Sequence, residues 1–122
     1  MSIEEHDTVD FVAHDPAQDR VLLVMVAGGS WEDDGSRLPD LQSKLNAYLM
    51  YEEQQLWDEN PALKGKPVTF QLAAEEPPGE QELAFLQLAV NRVLGPSGIR
   101  MTWKKVGLEI EHEIAPSVEI DE

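Results

Sequence analysis

Glu32, Asp33, Asp34 and Gly35 stand between an apolar run and a helix-forming stretch. Three carboxylates in a loop at the carboxyl end of a strand could hold a hard cation such as Ca2+ or Mg2+. The run lacks the spaced Asp-x-Asp-x-Asp-Gly pattern of a calcium loop. Acids ahead of a helix N-terminus are also favoured by the helix dipole, and that plainer account is preferred. No metal is assigned here, and the same acids would repel a phosphate. Gly28-Gly29-Ser30 carries neither the G-x-G-x-x-G spacing nor a P-loop lysine, so it reads as a turn.

Other residues with chemistry to offer are scattered. His6, His14 and His112 share no ligand spacing. His14 stands beside Asp15, where a carboxylate neighbour could raise its pKa, but no nucleophile motif accompanies it. None of Ser30, Ser36, Ser43, Ser97 and Ser117 sits in a G-x-S-x-G context. The chain has no cysteine, which removes disulfides, thiolate catalysis and cysteine zinc sites. No catalytic residue, metal or cofactor is therefore assigned. The residues best suited to binding are Trp31, Glu32, Asp33, Asp34, Tyr51 and Trp57. An indole beside carboxylates suits a cationic or peptide partner, although packing on the first helix accounts for Trp31 as well.

The charge is uneven. Residues 1–34 carry nine acids against Arg20 alone, and residues 107–122 carry six acids and no base. The stretch between them is nearly neutral, with nine acids and eight bases, and the chain totals −15. Such a surface attracts a basic partner and repels nucleic acid and anionic membranes. Arg92, Arg100, Lys104 and Lys105 form a small basic group, but Glu109, Glu111 and Glu113 follow and would neutralise it. The longest apolar run is seven residues, where a membrane span needs about 20. With no basic, apolar leader at the N-terminus, a soluble cytoplasmic protein is expected.

These residues must be positioned by elements that periodicity reveals. At 122 residues the chain is one domain, with residues 1–7 and 115–122 expected to fray. Val9, Phe11 and Ala13 alternate with Asp10, Val12 and His14, which predicts a strand. Asp15-Pro16 begins a turn, and residues 20–27 (RVLLVMVA) are apolar on both faces, the pattern of a central strand. Leu38, Leu41, Leu45, Tyr48, Leu49 and Leu56 share one helical face, with Ser36 as N-cap and a stop before Asn60-Pro61. Glu52 is the misfit on that face, and a bend near Glu53-Gln54 would turn it outward. Residues 68–74 alternate as a third strand. Leu83, Leu86, Val90 and Val93 mark a second helix, closed by Gly95-Pro96. Ile99, Met101 and Trp103 predict a fourth strand. Leu108, Ile110, His112 and Ile114 alternate with glutamates as a potential fifth.

The order ββαβαβ predicts an α/β (α+β) two-layer sandwich: a four-stranded mixed sheet, both helices on one face, and a possible fifth C-terminal strand. Right-handed crossovers on one face give the strand order 1-2-3-4, with the first antiparallel. Two sets of apolar residues are then left over. Val12, Leu22, Val24, Val26 and Ala73 point to the uncovered sheet face, and Ala47, Met50, Tyr51 and Trp57 form a second helical stripe. Such surface is either covered by the C-terminal segment or used for contact, including a homodimer.

A set of residues supports a family reading. Asp10, His14-Asp15-Pro16, the run VLLVM, Trp31-Glu32-Asp33, Leu41-Gln42-x-Lys44-Leu45-Asn46-x-Tyr48, Gly65-Lys66-Pro67-Val68, Pro77-Pro78 and Phe85-Leu86 resemble a family of small bacterial proteins known only as a domain of unknown function. The resemblance runs from Val9 to about Lys105 and implies a compact α/β domain with no assigned activity. Lys44, Asn46 and Tyr48 are its notable polar positions. Two readings follow. The first is a non-enzymatic protein-binding module for a basic protein, and the second a small-ligand or divalent-metal enzyme using Glu32, Asp33 and Asp34 with His14.

Overall fold

The structure, a computed structural model, describes residues 9–31 and 35–116. Among these, five strands form one mixed sheet in the order β1-β2-β3-β4-β5: β1 (Phe11–Asp15), β2 (Arg20–Ala27), β3 (Val68–Ala74), β4 (Arg100–Lys105) and β5 (His112–Glu113). β2, β3 and β4 are parallel neighbours, while β1 and β5 run antiparallel at the two edges. The helices are α1 (Leu38–Gln54), the short α2 (Leu56–Glu59) and α3 (Glu80–Ala89). The fold is α+β. Of the residues expected to fray, 1–7 and 115–122, only 115 and 116 are among the described residues.

Pairing register sorts the strand residues into two faces. Val21, Leu23, Met25 and Ala27 of β2 and Val68, Phe70, Leu72 and Ala74 of β3 join Leu41, Leu45 and Tyr48 of α1 and Leu86 and Val90 of α3 in one buried cluster. The register pairs Leu23 with Phe70 and Phe70 with Met101, so the cluster occupies one side of the sheet. Burying apolar side chains is worth about 1.5–3 kcal/mol each, which makes this cluster the main source of stability. The opposite side carries Phe11, Leu22, Val24, Thr69, Gln71, Ala73 and Thr102. Val12, expected there, pairs with Leu23 and packs against the core, and Phe11 takes the outer position with 47% exposure.

Several boundaries differ from the sequence expectation for local reasons. The α1 N-cap is Arg37, which makes no side-chain cap, instead of Ser36; Pro39 still fits the first turn. The helix breaks at Gln55, whose φ and ψ are −128° and −27°, and restarts as α2. Glu52 is left half-buried next to that break, and desolvation with the Glu53 charge raises its pKa. At the end of α3 a π-turn over Val90–Leu94 inserts an extra residue, so Leu94 is buried and Val93 is 44% exposed. The turn closes with the Gly95 amide on the Val90 carbonyl at 2.8 Å. A β-carbon on Gly95 would also lie 2.8 Å from that oxygen, so glycine is required by close approach.

The C-terminal segment shows the largest departure. Only His112–Glu113 pairs with β4 among the described residues. Leu108 and Ile110 are 52% and 66% exposed, Ile114 is buried, and Glu111 is the residue turned toward the sheet. From Glu111 to Ile114 the alternation holds, with Glu111 and Glu113 on the Thr102 side and His112 and Ile114 on the side of Trp103 and Met101, while Leu108 and Ile110 lie ahead of the paired segment.

Candidate functional site

A buried polar assembly pins α1 to the sheet. Lys44 Nζ lies 3.1 Å from Asp10 Oδ1, and both side chains are fully buried. The second Asp10 oxygen accepts from the Val26 amide at 3.0 Å. Tyr48, one turn after Lys44, accepts from the Asp10 amide at 2.8 Å and donates to the Val24 carbonyl at 2.5 Å. The i, i+4 spacing of Lys44 and Tyr48 puts both on the sheet-facing side of α1. Burial chiefly raises the Tyr48 pKa. With no exposed surface, Lys44 and Asp10 cannot touch a substrate, so this assembly holds β1, β2 and α1 together.

Next to the pin, part of the α1 surface is not covered by any of the described residues. Ala47, Met50 and Tyr51 line a groove of about 340 Å3 together with Val9, Gln54, Gln55 and Glu59. Met50 is 57% exposed. Desolvation and the Glu59 charge raise the Tyr51 pKa, and the Tyr51 hydroxyl meets the Asn60 amide at 3.4 Å. A second depression of about 220 Å3 lies between α1 and α3, lined by Leu45, Leu49, Phe85, Leu88 and Val93 with Arg92 and Asn46 at hand.

The sequence candidates are thus divided. Tyr51 lies in the first groove. Trp57 is half-buried and packs on the core from α2. Trp31 is only 8% exposed: its indole donates to the Glu76 carbonyl at 2.9 Å, and the Arg37 guanidinium lies 4.7 Å from its ring. Arg37 also donates to the Gly28 carbonyl at 2.8 Å, so Trp31 and Arg37 close the β2–α1 turn. Glu32, Asp33 and Asp34 lie outside the described residues. Among the described residues, no three His, Asp or Glu side chains gather as metal ligands. His14 pairs with Asp19 at 3.0 Å, and Asp19 also meets Lys66 at 2.7 Å. His112 stacks on Trp103, with ring centroids 4.3 Å apart. His14 and His112 are therefore not brought together; His6 is outside the described residues.

The sheet side away from the helices holds a second polar assembly. Glu111 accepts from Arg20 Nη2 at 2.9 Å through one oxygen. Its other oxygen accepts from Gln71 Nε2 at 2.9 Å and Thr102 Oγ1 at 2.7 Å. Arg20 is also held by Asp15 at 2.9 Å. Burial opposes the Glu111 charge, but the three donors outweigh it and lower the pKa. Burial likewise opposes the Arg20 charge, and Glu111 with Asp15 more than offsets it. Thr69, fully buried on this side, has a hydroxyl without a hydrogen-bond partner among the described residues. Residue pattern alone did not single out this cluster. The available signal was polar Thr69, Gln71 and Thr102 at outward positions of interior strands.

The family model described as "Family of unknown function (DUF6572)" matches residues 1–107. No curated protein and no solved structure matches the chain. Among the described residues, no helix is long and apolar enough to cross a membrane.

Proposed function

From the premise that the chain belongs to this family of unknown function, we propose that it is a non-enzymatic protein-binding module whose partner docks on the outer face of α1. The observation that carries this reading is the groove formed by Val9, Ala47, Met50, Tyr51, Gln54, Gln55 and Glu59. Exposed apolar side chains in a concave helix face that the described residues leave open are suited to contact. The groove contains one acid and no base, within a chain of net charge −15, so a basic partner fits it best. Tyr51 supplies an aromatic anchor of the kind that dominates interface energetics. The interior polar groups Lys44, Asp10 and Tyr48 are committed to holding the fold, which leaves the surface as the working part.

The test compares wild type with Met50→Glu and Tyr51→Ala as baits at low and high salt. The reading expects one basic partner held by wild type, released by salt and weakened by both substitutions. Met50 is exposed, so its substitution leaves folding intact. A partner retained equally by all three proteins would show that it docks elsewhere. Light scattering that gives twice the chain mass, reversed by Met50→Glu, would assign the groove to a second copy instead.

A further inference from the structure

We infer that β4 and the adjoining sheet face form a recognition site for an extended acidic peptide, and that residues 107–114 of this chain are its built-in occupant. This site is independent of the α1 groove. Three donors from three strands converge on one carboxylate: Arg20 of β2, Gln71 of β3 and Thr102 of β4. With Glu111 seated on them, Arg20, Gln71 and Thr102 are 5%, 6% and 1% exposed, and Asp15 holds Arg20 from the neighbouring strand. Thr69, beside them on the same side, offers a further buried hydroxyl with no partner among the described residues. Such a pre-organised set recognises a carboxylate through charge-assisted hydrogen bonds.

The strand itself selects acidic sequence. β4 reads RMTWKK, with Arg100, Lys104 and Lys105 as half of its residues. Its occupant carries Glu109, Glu111 and Glu113 at alternate positions, the period of an extended chain. Glu111 fills the three-donor socket, and Glu113 pairs with Arg100. Pairing is nevertheless short. β5 covers only Thr102 and Trp103 of β4, with one further bond from the Ile114 amide to the Met101 carbonyl at 2.9 Å. A longer strand could add to this edge through main-chain hydrogen bonds. The part of the chain matched by the family model contains Arg20, Thr69, Gln71, Thr102 and all of β4, while Glu109, Glu111 and Glu113 lie beyond it. The socket thus lies within the family match and its occupant outside it.

The occupant is tethered, so a peptide in trans competes against an effective concentration in the millimolar range. Removing Glu111 lifts that competition. The probe is a synthetic peptide with the sequence of residues 107–116, titrated into the full chain and into Glu111→Ala, with the Gln71 side-chain amide followed by NMR. The expected result is saturable binding to Glu111→Ala that is roughly tenfold or more tighter than to wild type. A peptide with glutamine in place of its glutamates should not bind. If Glu111→Ala does not fold, Glu111→Gln preserves shape and removes the charge, and excess peptide on wild type must still move the Gln71 signal. Equal binding to variant and wild type, or an unmoved Gln71 amide in every protein, overturns the inference. So does rescue of Glu111→Ala by acetate with no response to the peptide, which would reduce the socket to a slot for one carboxylate.

Discussion

Lys44 Nζ and Asp10 Oδ1 are 3.1 Å apart, and neither side chain has any exposed surface. Residues far apart in sequence thereby join α1 to the start of β1. A buried ion pair is weak support for net stability, because desolvating two charges offsets their attraction. Its value here lies in placement. Asp10 also accepts from the Val26 amide, and its own amide donates to Tyr48, so the pair fixes how α1 lies over β2.

Breaking the pair on one side should therefore cost more than replacing it whole. Lys44→Met leaves Asp10 buried with one fewer donor, and Asp10→Asn leaves the buried ammonium without its carboxylate. Each should lower unfolding free energy by about 3–5 kcal/mol. The double substitution should lose clearly less than the sum, since each single change leaves a buried charge without its opposite number that the double change removes. Urea denaturation of the four proteins measures this. Strictly additive losses would mean that the two groups do not compensate each other.

Tyr48 gives a separable prediction. Its hydroxyl accepts from the Asp10 amide and donates to the Val24 carbonyl, so Tyr48→Phe removes both bonds and takes the acceptor from the Asp10 amide. The expected loss is about 1–3 kcal/mol. Burial raises the Tyr48 pKa, and desolvation with Glu59 raises that of Tyr51. A raised folded-state pKa means full stabilisation below the unfolded value of 10.0 and loss as the pH rises above it. Absorbance titration should show both tyrosines ionising late, Tyr48 only as the chain unfolds. A normal titration of both phenols in the folded protein would contradict the burial.

Acid should act on the other side of the sheet. Glu111 has a lowered pKa, as do Asp15 beside Arg20 and Asp19 beside Lys66 and His14. Each contributes stability above its unfolded pKa, near 4.5 for glutamate and 3.8 for aspartate. That contribution fades as the pH falls through the lowered values. Arg20 bridges Glu111 and Asp15, so protonating those two carboxylates removes both of its charged partners. Thermal midpoints measured down the carboxylate range should fall less steeply for Glu111→Gln than for wild type. Parallel profiles would show that Glu111 does not titrate as a paired group.

Much of this arrangement was legible in alternation. β2 is apolar on both faces because helices cover one and its neighbours shelter the other, and RVLLVMVA announces that. The Ala47, Met50 and Tyr51 stripe is likewise visible as helical spacing, and it forms the wall of a groove. Lys44 was not legible as a core residue, since a lysine at a core-facing position is interpretable only with Asp10, which no local pattern connects to it. Glu111 lies on the polar side that its alternation gives it, but no local pattern shows the three donors on distant strands that half-bury it there. Val93 looked buried by 3.6-residue spacing, but one extra residue in the π-turn moved Leu94 into its place.

That π-turn also yields the sharpest backbone test. Gly95 donates to the Val90 carbonyl at 2.8 Å, and an added β-carbon would lie just as close to that oxygen. The obstacle is backbone, which cannot swing aside like a flexible side chain. Gly98, three residues later, has φ of +77°, and a β-carbon placed there would meet nothing within 4 Å. Gly98→Ala therefore meets only conformational strain, about 1–2 kcal/mol. Gly95→Ala must shift the turn that seats Leu94 in the core, which adds packing loss of about 1–3 kcal/mol. Chemical denaturation should rank Gly95→Ala at least as damaging as Gly98→Ala, with amide signals of Val90 and Leu94 displaced only in the former. If Gly95→Ala is neutral and those signals stay in place, the extra residue does not close against the Val90 carbonyl, and the exposure of Val93 needs another cause.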